Sequence, residues 1–142
     1  IIQSFSPQEK GKLPVSEHNL AAVQEGLRLV VEDAFGTGYW AVQGLDVLVS
    51  GKTGTAQTPS GDPHAWFAGY TRQNDPQHPD IAVAVIVENG GEGSAMAAPL
   101  FRRVVSLYFS GNEDPAGSMP WEEEPCKPAQ PTPTPTLSPT DE

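Results

Sequence analysis

Basic residues are scarce in this chain. Eight Lys and Arg stand against 18 Asp and Glu, a net charge of −10. Nucleic-acid binding needs a basic patch or stripe, so that class of partner is excluded. Cysteine occurs once, at Cys126, inside a proline-rich stretch. One cysteine excludes an internal disulfide framework, and with nothing nearby to depress its pKa it reads as an incidental exposed thiol. The three histidines, His18, His64 and His78, share no metal-ligand spacing, so neither a metal nor another cofactor is expected. No apolar run approaches the roughly 20 residues that span a bilayer, and no signal peptide opens the chain. Because it starts at Ile1 rather than Met, the chain reads as a piece of a longer protein, and the lack of an anchor says little about the parent.

What charge there is lies unevenly. After Ser110, seven acids face a single Lys127, so that stretch carries −6 and residues 1–110 carry −4. The same stretch loses all hydrophobic periodicity and alternates Pro131, Pro133 and Pro135 with threonines. Residues 111–142 are therefore expected to form a disordered, acidic, Pro/Thr-rich tail. In it, Glu122-Glu123-Glu124 beside Trp121 reads as a solvated charge run. Residues 1–15 form a lead-in segment with turn signals at Ser6-Pro7 and Gly11 to Pro14.

Residues 16–110 carry the folded pattern. Ser16 is a helix N-cap, and Leu20, Val23, Leu27, Val30 and Val31 recur at helical spacing to about Asp33. Gly36-Thr37-Gly38 closes that unit. Strands are predicted over Asp46–Gln57, His64–Thr71 and Ile81–Glu88. The last reads IAVAVIVE, a composition suited to a central strand covered on both faces. A second helix is predicted over Ala95–Phe109. Ala97, Leu100, Phe101, Val104, Val105 and Tyr108 form its buried stripe, Pro99 lies in its first turn, and Arg102 and Arg103 sit on the solvated side. Short connections suit antiparallel neighbours, so the fold class is α/β of the α+β type: an antiparallel sheet with helices packed on it. His64 reads as structural at the start of its strand, and His18 and His78 as surface residues. Ser110-Gly111-Asn112 reads as a helix-ending turn.

The stretch SGKTGTAQTPSG, residues 50–61, carries the chemistry. A phosphate-binding loop needs glycine six positions before its lysine, and Asp46 stands there. Such a loop also runs straight into a helix, whereas here a strand is followed by the turn Thr58-Pro59-Ser60-Gly61. A carboxylate site fits better. Alternate strand residues share a face, so Thr53 and Thr55 point the same way and can donate two hydrogen bonds to one anionic group. Lys52 falls on the opposite side of the pleat unless the strand twists at Gly54. Its ammonium raises the local positive potential. Gly54 admits a ligand backbone, and the Thr55 amide can serve as an oxyanion donor.

GKTGTAQ at 51–57, HAWFAGYTR at 64–72 and IAVAVIVENGGEGSAMAAPLFRRVV at 81–105 resemble the transpeptidase domain of penicillin-binding proteins, in the monofunctional, class B style of cell elongation and division. The resemblance runs over roughly residues 12–109 and implies the serine β-lactamase and penicillin-binding transpeptidase type of fold. It implies a five-stranded sheet with the helix before the motif and the C-terminal helix packed on one face. It further implies that Lys52 and Thr55 are catalytic, and that Thr53, Gly54 and Thr55 bind substrate. The implied ligands are a peptidoglycan stem peptide ending in D-Ala-D-Ala and β-lactam antibiotics. The implied location is the extracytoplasmic face of the bacterial cell membrane, with the parent anchored by an N-terminal segment.

One family feature is missing. None of the ten serines has a lysine three residues later, so the nucleophile and its base are expected from the N-terminal part of the same domain, a necessary partner. The chain then supplies one wall of an active site and is inactive alone. The alternatives are a β-lactam sensor or β-lactamase relative, or a non-catalytic binding module that keeps the same sheet.

Overall fold

The computed structural model describes residues 8–59 and 61–111. The tail expected from 111 onward lies outside the described residues beyond Gly111, and so do Cys126, Trp121 and Glu122 to Glu124. The element order is α1 Glu17–Glu32, α2 Tyr39–Val42, β1 Val49–Ala56, β2 His64–Thr71, β3 Ala82–Val87 and α3 Ala97–Ser110. The strands form one antiparallel sheet in the order β1-β2-β3.

Local chemistry explains where the elements stop. Ser16 Oγ accepts from the Asn19 amide at 3.2 Å and opens α1. Pro99 occupies the first turn of α3, where a missing N–H leaves no bond unmade. Gly111 ends α3 in the left-handed region, φ 70°, with its N–H on the Leu107 carbonyl. Ser110 and Gly111 are thus a helix stop, as their residue types predict. α2 was not foreseen. At four residues it is too short to show a period.

Register assigns every strand residue to a face. Thr53 pairs with Phe67 and Phe67 with Val85, so these share one side with Ala65, Gly69 and Val83. α3 seals that side. Phe67 and Phe101 are fully buried with ring centroids 4.7 Å apart, and Ala65, Ala97, Ala98 and Val105 complete the core. Burying one such phenylalanine contributes about 1.5–3 kcal/mol. Lys52, Ala68, Trp66, Ala84 and Ile86 share the other side, where α1 lies along β1. Leu27 borders a cleft there of about 390 Å³ together with Lys52, Ala68, Tyr70, Ala82 and Ala84. Arg72 ties α1 to the sheet: its guanidinium pairs with Glu32 and donates to Ser50 Oγ at 3.1 Å. Arg28 extends this ion-pair chain along α1 by pairing with Glu25 and Glu32. Its guanidinium holds the Glu25 carboxyl below the usual carboxylate range.

Four expectations are corrected. The two long helices do not share one face: α3 packs on β2 and β3 from the Phe67 side, whereas α1 lies along β1, with Leu27 on the Lys52 side. β3 is an outer strand of the described sheet, and its alternate residues Ala82, Ala84 and Ile86 are exposed. The α3 stripe is rotated. Val104 and Tyr108 are 45% and 39% exposed, while Arg102 is buried and its Nη1 donates to the Gln43 carbonyl at 2.6 Å. Position 102 follows 98 and precedes 105 at helical spacing, so it faces the sheet side, and its guanidinium is accommodated by a loop carbonyl. Along α1, Val31 is buried, but Leu20 and Val23 are 40% and 58% exposed.

Candidate functional site

Lys52, Thr53, Gly54 and Thr55 lie in the middle of β1, an outer strand of the described sheet. The Arg72 amide donates to the Leu48 carbonyl at 2.9 Å. In an antiparallel ladder, hydrogen-bonded and non-hydrogen-bonded pairs alternate. Counting from Leu48 and Arg72, the pairs Lys52–Ala68 and Gly54–Trp66 exchange backbone bonds, while Thr53–Phe67 and Thr55–Ala65 do not. The N–H and C=O groups of Thr53 and Thr55 therefore turn outward at the open edge of the sheet. An extended ligand backbone laid along that edge would find them unpaired with β2, which is the physics of strand addition.

The lysine does not stay on its own side of the pleat. Lys52 Nζ bends round the edge, donating to the Thr53 carbonyl at 2.7 Å and to Thr53 Oγ1 at 3.3 Å. An ammonium and a hydroxyl thus meet at one point of the strand. Thr53 Oγ1 is also 2.7 Å from Thr37 Oγ1. Lys52 and Thr55 are exposed, and Thr53 and Gly54 are half-buried. Of the four residues singled out in the sequence, the structure joins Lys52 and Thr53 directly and places Thr55 one step further along the same edge.

Two neighbours escaped the sequence reading. Thr37 appeared only as part of a glycine-bounded turn. Its flanks are now seen to be tied to α1: the Gly36 amide donates to the Asp33 carbonyl at 2.8 Å and the Gly38 amide to the Val30 carbonyl at 2.9 Å. A Cβ on Gly36 would stand 2.3 Å from the Val30 carbonyl oxygen, so only glycine allows this approach. Gly93 is the second. It is buried against the Gly54–Trp66 rung, where a Cβ would come within 2.2 Å of the Trp66 oxygen and 2.5 Å of the Gly54 oxygen. Its carbonyl accepts from the Ala97 and Ala98 amides at the start of α3. Gly93 therefore wedges the helix start against the glycine of the motif. A glycine in a polar loop was the available signal, but not its target.

His64 is structural: its Nδ1 accepts from the Asn89 amide at 2.9 Å, tying the start of β2 to the turn after β3. His18 is exposed, and His78 pairs with Asp75 at 3.2 Å and lies beside the rings of Tyr108 and Phe109. Among the described residues, no group of three or more His, Cys, Asp and Glu could hold a metal ion. No described helix is long and apolar enough to cross a membrane.

Comparison with known proteins gives consistent matches. The model of the penicillin binding protein transpeptidase domain matches residues 1–106. Among curated proteins, the chain is 36% identical over 104 residues to peptidoglycan D,D-transpeptidase MrdA of Haemophilus influenzae. That match covers 63% of the chain and 16% of the relative. A structure described as structural coordination of polymerization and crosslinking by a peptidoglycan synthase complex superposes with TM-score 0.62 at 37% identity, covering 72% of this chain and 18% of that one. PBP2 of Pseudomonas aeruginosa in complex with WCK 5153 superposes with TM-score 0.55 at 37% identity, covering 76% and 22%. The chain thus spans about one-sixth of the length of the curated relative.

Proposed function

Because the chain belongs to the family of penicillin binding protein transpeptidase domains, we propose that it is the C-terminal part of a D,D-transpeptidase and supplies the carboxylate- and oxyanion-binding edge of its active site. In this reading the parent cross-links peptidoglycan stem peptides ending in D-Ala-D-Ala through an acyl-serine intermediate, and β-lactams occupy the same site. The nucleophilic serine and its lysine base come from the N-terminal part of the domain. The parent works on the extracytoplasmic face of the bacterial cell membrane, held by an N-terminal anchor.

The observation that carries this reading is the open edge of β1. There the Lys52 ammonium and the Thr53 hydroxyl converge, and the Thr55 N–H turns outward. An extended peptide lying along that edge brings its terminal carboxylate to the hydroxyls of Thr53 and Thr55 under the Lys52 charge. Its reacting carbonyl then lies beside the Thr55 amide. When the serine oxygen attacks, negative charge grows on the carbonyl oxygen and the amide stabilises it. The C–N bond breaks, the terminal D-Ala leaves, and the acyl group remains on serine until an amine of a second stem peptide accepts it.

Fluorescent penicillin labelling of the full-length parent, followed by intact mass, tests the reading. The expected result is a persistent acyl adduct on a serine outside these 142 residues, with no adduct on the isolated chain. An unlabelled parent would sink the proposal, and rapid turnover of the adduct would make it a β-lactamase relative instead. Within the labelled parent, Thr55→Val removes one charge-assisted hydrogen bond while keeping β-branching. Such bonds are worth about 1.5–3 kcal/mol, so acylation slows roughly ten- to a hundredfold.

A further inference from the structure

We propose that Thr37 is a positioning residue that sets the direction of the Thr53 hydroxyl proton toward a bound carboxylate. The inference rests on the function proposed above. It starts from the valences of Thr53 Oγ1, which can donate once and accept twice. Lys52 Nζ can only donate, so at 3.3 Å it takes one of the two lone pairs. The contact between Thr37 Oγ1 and Thr53 Oγ1, 2.7 Å, has two possible directions. If Thr53 donates, its proton is spent inside the protein and no donor remains for a ligand. If Thr37 donates, both lone pairs of Thr53 are filled and its O–H turns out to solvent. An arriving carboxylate accepts that proton and selects the second arrangement, since a hydrogen bond to an ionised acceptor is about twice as strong as a neutral one.

Thr37 is built to hold that position. Its neighbour Gly36 is hydrogen-bonded to Asp33, the cap of α1, and Gly38 to Val30 in the last turn of α1. At Gly38 a Cβ would meet Val31 at 3.2 Å and the Phe67 ring at 3.3 Å, so this loop is pressed onto the protein on both sides. Beside it opens a cleft of about 470 Å³, lined by Thr37 and Lys52 together with Val30, Phe35 and Gly36. Thr37 is exposed and borders a space open to a ligand.

The test uses the full-length parent and two probes: benzylpenicillin, which carries a free carboxylate, and its methyl ester, which does not. Thr37→Val keeps the shape and removes the hydroxyl, and Thr37→Ser keeps the hydroxyl. Loss of one orienting hydrogen bond predicts roughly tenfold slower acylation of Thr37→Val by benzylpenicillin. The ester rate should fall by much less, the melting temperature should be unchanged, and Thr37→Ser should recover most of the benzylpenicillin rate. In a Thr53→Val background, Thr37→Val should have no further effect. Equal slowing of both probes would overturn the proposal, as would an undiminished benzylpenicillin rate or a full Thr37→Val effect without Thr53. If Thr37→Val does not fold, Thr37→Ser alone decides through its carboxylate-to-ester rate ratio: a large fall overturns the proposal, and a parent-like ratio supports it. If the unaltered parent takes neither probe, the proposed function falls as well; loss of only the Thr37 effects leaves that function standing.

Discussion

On one side of the sheet, Ala65 and Phe67 are fully buried beneath Phe101 and Val105 of α3. On the other side, Lys52, Ala68 and Ala84 remain exposed, with Trp66 and Ile86 at 39% and 45%. The same three strands make both surfaces. The first side meets a helix whose large residues fill it, with Gly51 and Gly69 leaving room for the Phe67 and Phe101 rings. The second carries alanines, one lysine and a cleft, with α1 covering only the part along β1. The lesson is a division of labour. The sealed side holds β1 in register, the open side presents Lys52, and the free edge presents Thr53 and Thr55.

That division can be broken from the sealed side. Phe67→Ala removes a fully buried ring and should destabilise the parent by about 3–5 kcal/mol, read from urea unfolding. Molecules that stay folded should still be acylated by penicillin. A small stability loss would show that the sealed side is not the scaffold.

A milder change sharpens the comparison, because it reaches the edge through the scaffold. Gly93→Ala drives a methyl group into the backbone of Gly54 and Trp66. Overpacking of this kind costs about 1–3 kcal/mol. Relief by pushing Gly54 outward moves Thr53 and Thr55, so acylation should slow even where the protein is folded. A fall in melting temperature with an unchanged acylation rate would confine Gly93 to the sealed side.

The smallest effect is expected in the loop between β2 and β3, remote from the edge. Asp80 accepts from Thr71 Oγ1 at 2.8 Å and from the Gln73 and Asn74 amides at 2.8 and 3.2 Å. The Thr71 hydroxyl, then those amides, hold its carboxyl below the ordinary value, against partial desolvation that raises it. A depressed folded value stabilises the protein above the unfolded value and loses that contribution as pH falls through the folded one. Melting temperature should therefore drop more steeply for the parent than for Asp80→Asn below about pH 4. Parallel curves would remove Asp80 from the account.

Strands and long helices were legible where the chemistry is local. β2 is bounded as its sequence predicts, because alternating aromatic and small residues lie between proline-rich turns. α1 begins where Ser16 caps it. The placement of Lys52 beside Thr53 was only half legible, since strand alternation puts them on opposite sides and the long side chain returns round an open edge. Thr37 and Gly93 were not legible as site neighbours. Each reaches the motif through the path of a loop, and the residues brought together are far apart in the chain. The burial of Arg102 was hidden for the same reason, because its partner is a carbonyl from the loop after α2.

The central claim is that Lys52 acts on a ligand at the edge of β1 and is not merely strand structure. The direct measurement is the second-order acylation rate of the full-length Lys52→Ala parent by benzylpenicillin, taken with its melting temperature. Lys52 is exposed, so folding should be unaffected. Loss of a positive group at a site that stabilises developing negative charge should slow acylation by about 10²–10³-fold. Lys52→Arg should restore only part of the rate, since a planar guanidinium does not fill the place of an ammonium. A folded Lys52→Ala protein acylated at the parent rate would contradict the account.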